Sequence, residues 1–140
     1  MITNEHYYRA LNIMDRIEEI RVEKNIKKSD IGKELGYTKA YYQAFYDACR
    51  TIRLSSLINF AKGLDISVDY LLTGKNKQPY KDFKLNYNLI TDSKIKYLPN
   101  SLQVIKGRLK RKETDNISIK SLFEFEHYLN IPAIKLIGGE

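Results

Sequence analysis

The chain has 140 residues, 43% of them hydrophobic, and a formal charge of +7, which is core material for one domain or two small ones and excludes the disordered class. One cysteine, Cys49, with only His6 and His127 beside it, excludes an internal disulfide and a Cys/His metal quartet. No run approaches the ~20 apolar residues of a membrane span, and the opening MITNEHYYRALNIMDRIEE lacks the basic start and apolar stretch of a signal peptide, so a cytoplasmic chain is expected.

In chain order, residues 5–24 predict a helix, because Leu11, Met14, Ile17 and Ile20 recur at three-residue steps with Ile13 beside them. Tyr7 and Tyr8 form an N-terminal extension of it. Residues 28–36 predict a short helix, with Ser29 as N-cap, Ile31 and Leu35 on one face and Gly36 at the left-handed end. Thr38 caps a third helix, KAYYQAFYDACR, whose Tyr42, Phe45 and Cys49 share a face. Ser55 starts a fourth, with Leu57, Ile58, Phe60, Ala61 and Leu64. Ser67 caps a fifth, short one holding Tyr70, Leu71 and Leu72, which Gly74 closes. The polar stretch GKNKQP at 74–79 is the expected linker between residues 1–75 and 79–140.

Two short helices joined at a glycine form the helix-turn-helix motif. Helix 28–35 would brace its neighbour across the DNA backbone, and helix 38–49 would enter the major groove, which admits one α-helix. Gly36 supplies the positive φ of the turn, and Gly32 the small side chain for close helix contact. The text RIEEIRVEKNIKKSDIGKELGYTKAYYQAF followed by LSSLINFAKGLDISVDYLLTG resembles the Cro/phage-repressor (XRE-type) helix-turn-helix family over residues 16–74.

The resemblance implies an all-α, five-helix domain and a sequence-specific duplex-DNA-binding transcriptional regulator, a repressor of bacterial or mobile-element type. By position, Thr38, Lys39, Ala40 and Gln43 would face bases: Gln matches adenine edges, Lys guanine, and Ala or the Thr methyl the thymine methyl. Lys27, Lys28, Tyr41, Arg50 and Arg53 would anchor the backbone, which fixes register without reading sequence. The chain departs from the family at Lys28, where Gln is usual, and at Tyr46 and Ala48 near the end of the third helix. Tyr41, Tyr42, Phe45 and Tyr46 also make that helix unusually aromatic. Those departures are the case for an alternative, a protein-interaction module or antitoxin-like adaptor that keeps the fold but has lost base readout.

The second half carries the larger charge, 12 Lys and Arg against 7 Asp and Glu in residues 76–140, compared with 12 against 10 in residues 1–75. SSLINFAKGLDISVDYLLTG (55–74) aligns with KSLFEFEHYLNIPAIKLIGG (120–139) at a shift of 65, pairing Leu57 with Leu122, Phe60 with Phe125 and Leu71 with Leu136. Upstream, a shift of 63 pairs Ile17 with Tyr80, Ile20 with Phe83, Ile26 with Leu89 and Leu35 with Leu98. A divergent helix-turn-helix-like repeat is therefore expected over 79–139. Its third helix would start at Ser101 and carry a second basic patch, Lys106, Arg108, Lys110, Arg111 and Lys112.

The strict alternation of Phe83, Leu85, Tyr87 and Leu89, then Ile95 and Tyr97, supports a competing α+β reading, with a β-hairpin at 83–97 serving dimerisation. The chain would meet DNA either as a homodimer or as a pseudo-symmetric tandem monomer. No paired carboxylates, nucleophile motif or phosphate-cradling loop is present, so neither catalysis nor a cofactor or metal is expected.

Overall fold

The computed structural model describes residues 3–31 and 52–138, and among these the fold is all-α. The helices are α1 (Thr3–Glu23), α2 (Leu54–Leu64), α3 (Val68–Thr73), α4 (Asn88–Thr91), α5 (Asn100–Lys110), α6 (Ile119–Leu129) and α7 (Ala133–Leu136). The expected helix 38–49 and the turn at Gly36 lie outside the described residues. So does all but the start of the expected helix 28–36, whose residues 28–31 form turns.

The apolar stripe of α1 is buried along its length: Ala10, Ile13, Met14, Ile17 and Ile20 are all at most 2% exposed. The helix ends in a Schellman cap. Asn25 takes a left-handed φ of 56°, its N–H donates to the Val22 carbonyl, and Ile26 N–H donates to that of Arg21. The same device closes α2 at Asp65 and α5 at Lys112, each left-handed without being glycine. Ser67 caps α3 by accepting from Tyr70 N–H, and left-handed Gly74 closes it, both as expected.

The extended N-terminus of α1 lets one helix brace both halves. It packs on α2 and α3 and also on α6. Two of its basic side chains, and Lys24 in the turn that closes it, hold these contacts, one to each partner. Lys24 Nζ donates to the Leu64 carbonyl at the end of α2, Arg16 donates to the Leu71 carbonyl in α3 at 3.0 Å, and Arg9 reaches Glu126 on α6. Cations suit the carbonyl ends of helices, where unpaired C=O groups and the dipole concentrate negative charge. Arg9 donates through both terminal nitrogens to the Glu126 carboxylate, and its guanidinium lies 3.9 Å from the Phe123 ring centre.

The expected hairpin over 83–97 is not formed: among the described residues there is no strand, only an isolated bridge elsewhere. The alternation nonetheless reports an extended backbone. Phe83, Leu85 and Tyr87 turn half-buried toward the core, while Asp82, Lys84 and Asn86 face solvent. No second strand pairs with this strap. Its backbone groups go elsewhere: Gln78 O accepts from Ser67 N–H, and Asn86 N–H donates to Ile137 O. The counterpart of α1 expected around Tyr80 and Phe83 is likewise absent, because that stretch is extended rather than helical.

Beyond the strap, α4 packs on α5 and α7, and α6 on α5 and α7. One contiguous core runs through both halves. Leu57, Phe60 and Leu71 from the first join Ile90, Leu102, Leu122, Phe125 and Leu136 from the second.

Candidate nucleic-acid interface

The interface expected from the sequence falls into a part outside the described residues and two flanks within them. Thr38, Lys39, Ala40, Tyr41, Gln43 and Arg50 lie outside. Lys27, Lys28 and Arg53 lie at the borders of segment 32–51 and are described.

Lys27 is exposed and Lys28 half-exposed, beside Ser29 and Arg21 around a shallow depression. The turn that presents them is fixed from both sides. Arg21 pairs with Glu18 and donates to the Ile26 carbonyl at 2.8 Å, holding the chain as it leaves α1. Farther on, Ile31 is buried against α2, and a Cβ on Gly63 would meet the Ile31 carbonyl oxygen at 2.7 Å. Gly63 therefore allows a close approach between α2 and Ile31; Gly32, the small residue expected between helices 28–35 and 38–49, lies outside the described residues.

At the other border Arg53 is exposed and precedes α2 in an extended conformation. Its backbone forms the isolated bridge to Ser118, flanked by Leu54 N–H donating to Ile117 O and Ile119 N–H to Ile52 O. Ser55, expected to start α2, instead bonds Asn116. Its N–H donates to Oδ1 and its hydroxyl accepts from Nδ2, so a residue of the second half caps this helix.

The second basic patch sits on α5 and the turn after it. Leu102 and Leu109 bury one face. About three turns of exposed surface run along the rest of the helix and its C-cap, with Asn100, Val104, Arg108 and Arg111 opposite and Gln103 on the flank. Of the five basic residues named from the sequence, Arg108 and Arg111 lie on that stripe and the other three do not. Lys106 is half-buried and donates to the Ser93 carbonyl at 2.7 Å. Lys110 and Lys112 are exposed on the flank and in the left-handed cap.

Arg111 binds Glu113, and this hydrogen bond holds the Glu113 carboxyl below its ordinary range and raises the guanidinium of Arg111. Gln103 and Val104 were missed by sequence reasoning, which weighed charge alone. The signal available for Val104 was its place opposite Leu102 and Leu109, because an exposed valine, here 61% accessible, has no core to serve.

Among the described residues no group of His, Cys, Asp or Glu could hold a metal ion, and no helix is long and apolar enough to cross a membrane.

A stretch of 69 residues, 49% of this chain, is 30% identical to the uncharacterized HTH-type transcriptional regulator YqaE of Bacillus subtilis (strain 168). The chain spans about three fifths of that relative's length. No family profile matches the chain, and neither does any solved structure. Helical architecture and partial likeness together define a chain similar to helix-turn-helix regulators.

Proposed function

We propose that this chain is a sequence-specific duplex-DNA-binding transcriptional regulator of the Cro/repressor (XRE) type, acting in the cytoplasm as a repressor and without catalysis. The observation that carries this is the 69-residue likeness to a helix-turn-helix regulator. The helical frame agrees with it: α1, α2 and α3 bracket segment 32–51, with exposed cations at both borders. In this reading Thr38, Lys39, Ala40 and Gln43 meet base edges, and Lys27, Lys28, Tyr41, Arg50 and Arg53 meet phosphates.

Each phosphate neutralised releases condensed counterions, so log K should fall linearly with log salt, by about 0.9 per contact. Fluorescence anisotropy on random duplex DNA at low salt is expected to show micromolar binding that weakens steeply as salt rises. Selection from a random duplex pool should give a motif that Lys39→Ala and Gln43→Ala alter or relax. Lack of binding at low salt refutes the reading and favours a protein-interaction module or antitoxin-like adaptor.

A further inference from the structure

Helices α2 and α6 begin and end 65 residues apart, and α3 and α7 begin at the same offset. The agreement extends to single residues. Ile52 and Ile117, Leu54 and Ile119, Leu57 and Leu122, Phe60 and Phe125, Val68 and Ala133, and Leu71 and Leu136 are all buried pairs at this offset. The left-handed caps also match, Asp65 at φ 52° and Asn130 at φ 54°.

The contacts between these copies are reciprocal. Leu54 N–H donates to Ile117 O at 2.9 Å, and Ile119 N–H, its equivalent, donates to Ile52 O, the equivalent of Ile117, at 2.7 Å. The bridged residues Arg53 and Ser118 are equivalents of each other, as are the contacting helices α3 and α7. A contact in which residue i meets j and j meets i is the mark of a two-fold, isologous interface. Here it lies within one chain.

We propose that the protein is its own dimer: an internal two-fold relates its halves, and α5 presents a second DNA-reading face to the same duplex. This rests on the function proposed above. The expected helix 38–49, moved on by the upstream shift of 63, falls on α5. The exposed stripe there has the chemistry of base readout, with Arg108 and Arg111 for guanine or phosphate and Val104 for a thymine methyl; Gln103, whose Nε2 donates to the Leu98 carbonyl at 2.7 Å, lies beside it. A two-fold protein reads half-sites about one helical turn, 10–10.5 base pairs, apart. Because the stripe differs from residues 38–43, the two half-sites would differ in sequence. One chain would then occupy an asymmetric operator that a homodimer could not match.

The test uses the full chain on a duplex taken from selection. Sedimentation of the complex is expected to give one chain per duplex, and hydroxyl-radical footprinting two protected patches about one turn apart. Arg108→Ala/Arg111→Ala should lose one patch, lower the salt slope by about 1–2 and weaken binding about tenfold or more. Lys39→Ala/Gln43→Ala should lose the other patch.

Both arginines are exposed, so circular dichroism and Tm should not move. Should Tm shift, Val104→Ala is read instead for altered sequence preference in the same patch. Two chains per duplex, or a footprint unchanged by the α5 variants, overturns the internal dimer while leaving DNA binding intact. Failure of the wild-type chain to bind any duplex removes the DNA reading itself and this inference with it.

Discussion

Removing the Arg9–Glu126 link should loosen the grip of α1 on the second half. The two side chains are 32% and 24% exposed, so their bidentate pair is only partly screened and contributes about 1 kcal/mol. Arg9 over Phe123 adds about 1 kcal/mol as a cation–π contact. Glu126 Oε2 also accepts from the Ala133 N–H at 2.7 Å, satisfying an orphan donor at the start of α7. A hydrogen bond to a charged group contributes about 1.5 kcal/mol.

Arg9→Ala should therefore cost about 2 kcal/mol, Glu126→Ala about 2.5, and the double variant about 3.5 rather than their sum, a coupling of about 1 kcal/mol. For a chain this size each kcal/mol lowers Tm by roughly 3–4 °C. Urea melts of the four proteins measure the cycle, and hydrogen exchange should show protection lost first in α6 and α7. Additive single effects, or a loss below about 0.5 kcal/mol for Arg9→Ala, would refute the clamp, since ordinary surface substitutions stay within that range.

Gly63→Ala sets two effects against each other: alanine is favoured in a helix by up to about 1 kcal/mol, but its Cβ, fixed in place by the helix, would meet the Ile31 backbone carbonyl oxygen at 2.7 Å. Overpacking of this kind costs about 1–3 kcal/mol, so the variant should be net destabilised in urea, and a neutral or stabilised protein would mean that Ile31 does not lie against α2. Tyr87 donates its hydroxyl to the Asp115 carbonyl, and burial, with the nearby Asp115 carboxylate, pushes its pKa well above the ordinary 10.0. Its contribution is whole below about pH 10 and is lost as pH rises, because the unfolded phenol ionises first. Tyr87→Phe should cost about 1 kcal/mol at neutral pH, and its Tm should fall less steeply than that of wild type between pH 10 and 11.5; parallel curves would show that Tyr87 ionises alike in both states.

What the sequence made legible was local. Apolar spacing located α1, the run from Leu57 to Leu64 named α2, and the shift of 65 set the register of α6 against α2. Ser67 and Gly74 carried their capping chemistry in their identities. The ends at Asn25, Asp65, Lys112 and Asn130 were harder, because left-handed residues other than glycine are not announced by type.

The strap shows a different obstacle. Alternation at Phe83, Leu85 and Tyr87 correctly signals extended chain, but period two cannot distinguish a paired strand from a strap that lays one side on helices. The Arg9–Glu126 link joins residues 117 apart, beyond any local pattern. Of the candidate interface, the charges at Lys27, Lys28 and Arg53 were visible. The stripe through Val104 and Arg108 emerges only once Leu102 and Leu109 fix which face of α5 is buried.

The break in internal symmetry has a physical source in one helix. At the 65-residue offset, buried Ala61 of α2 becomes Glu126 of α6. A carboxylate there needs a cation, and α1 provides Arg9. The same helix reaches the end of α2, where Lys24 binds the Leu64 carbonyl and both Leu64 and Ile66 are buried. With no second copy of α1, the equivalent Leu129 and Ile131 remain half-exposed. A two-fold assembly of separate chains would need two such helices, one for each half. Joining the halves lets a single α1 serve both and leaves the second half's surface able to diverge without disturbing the first.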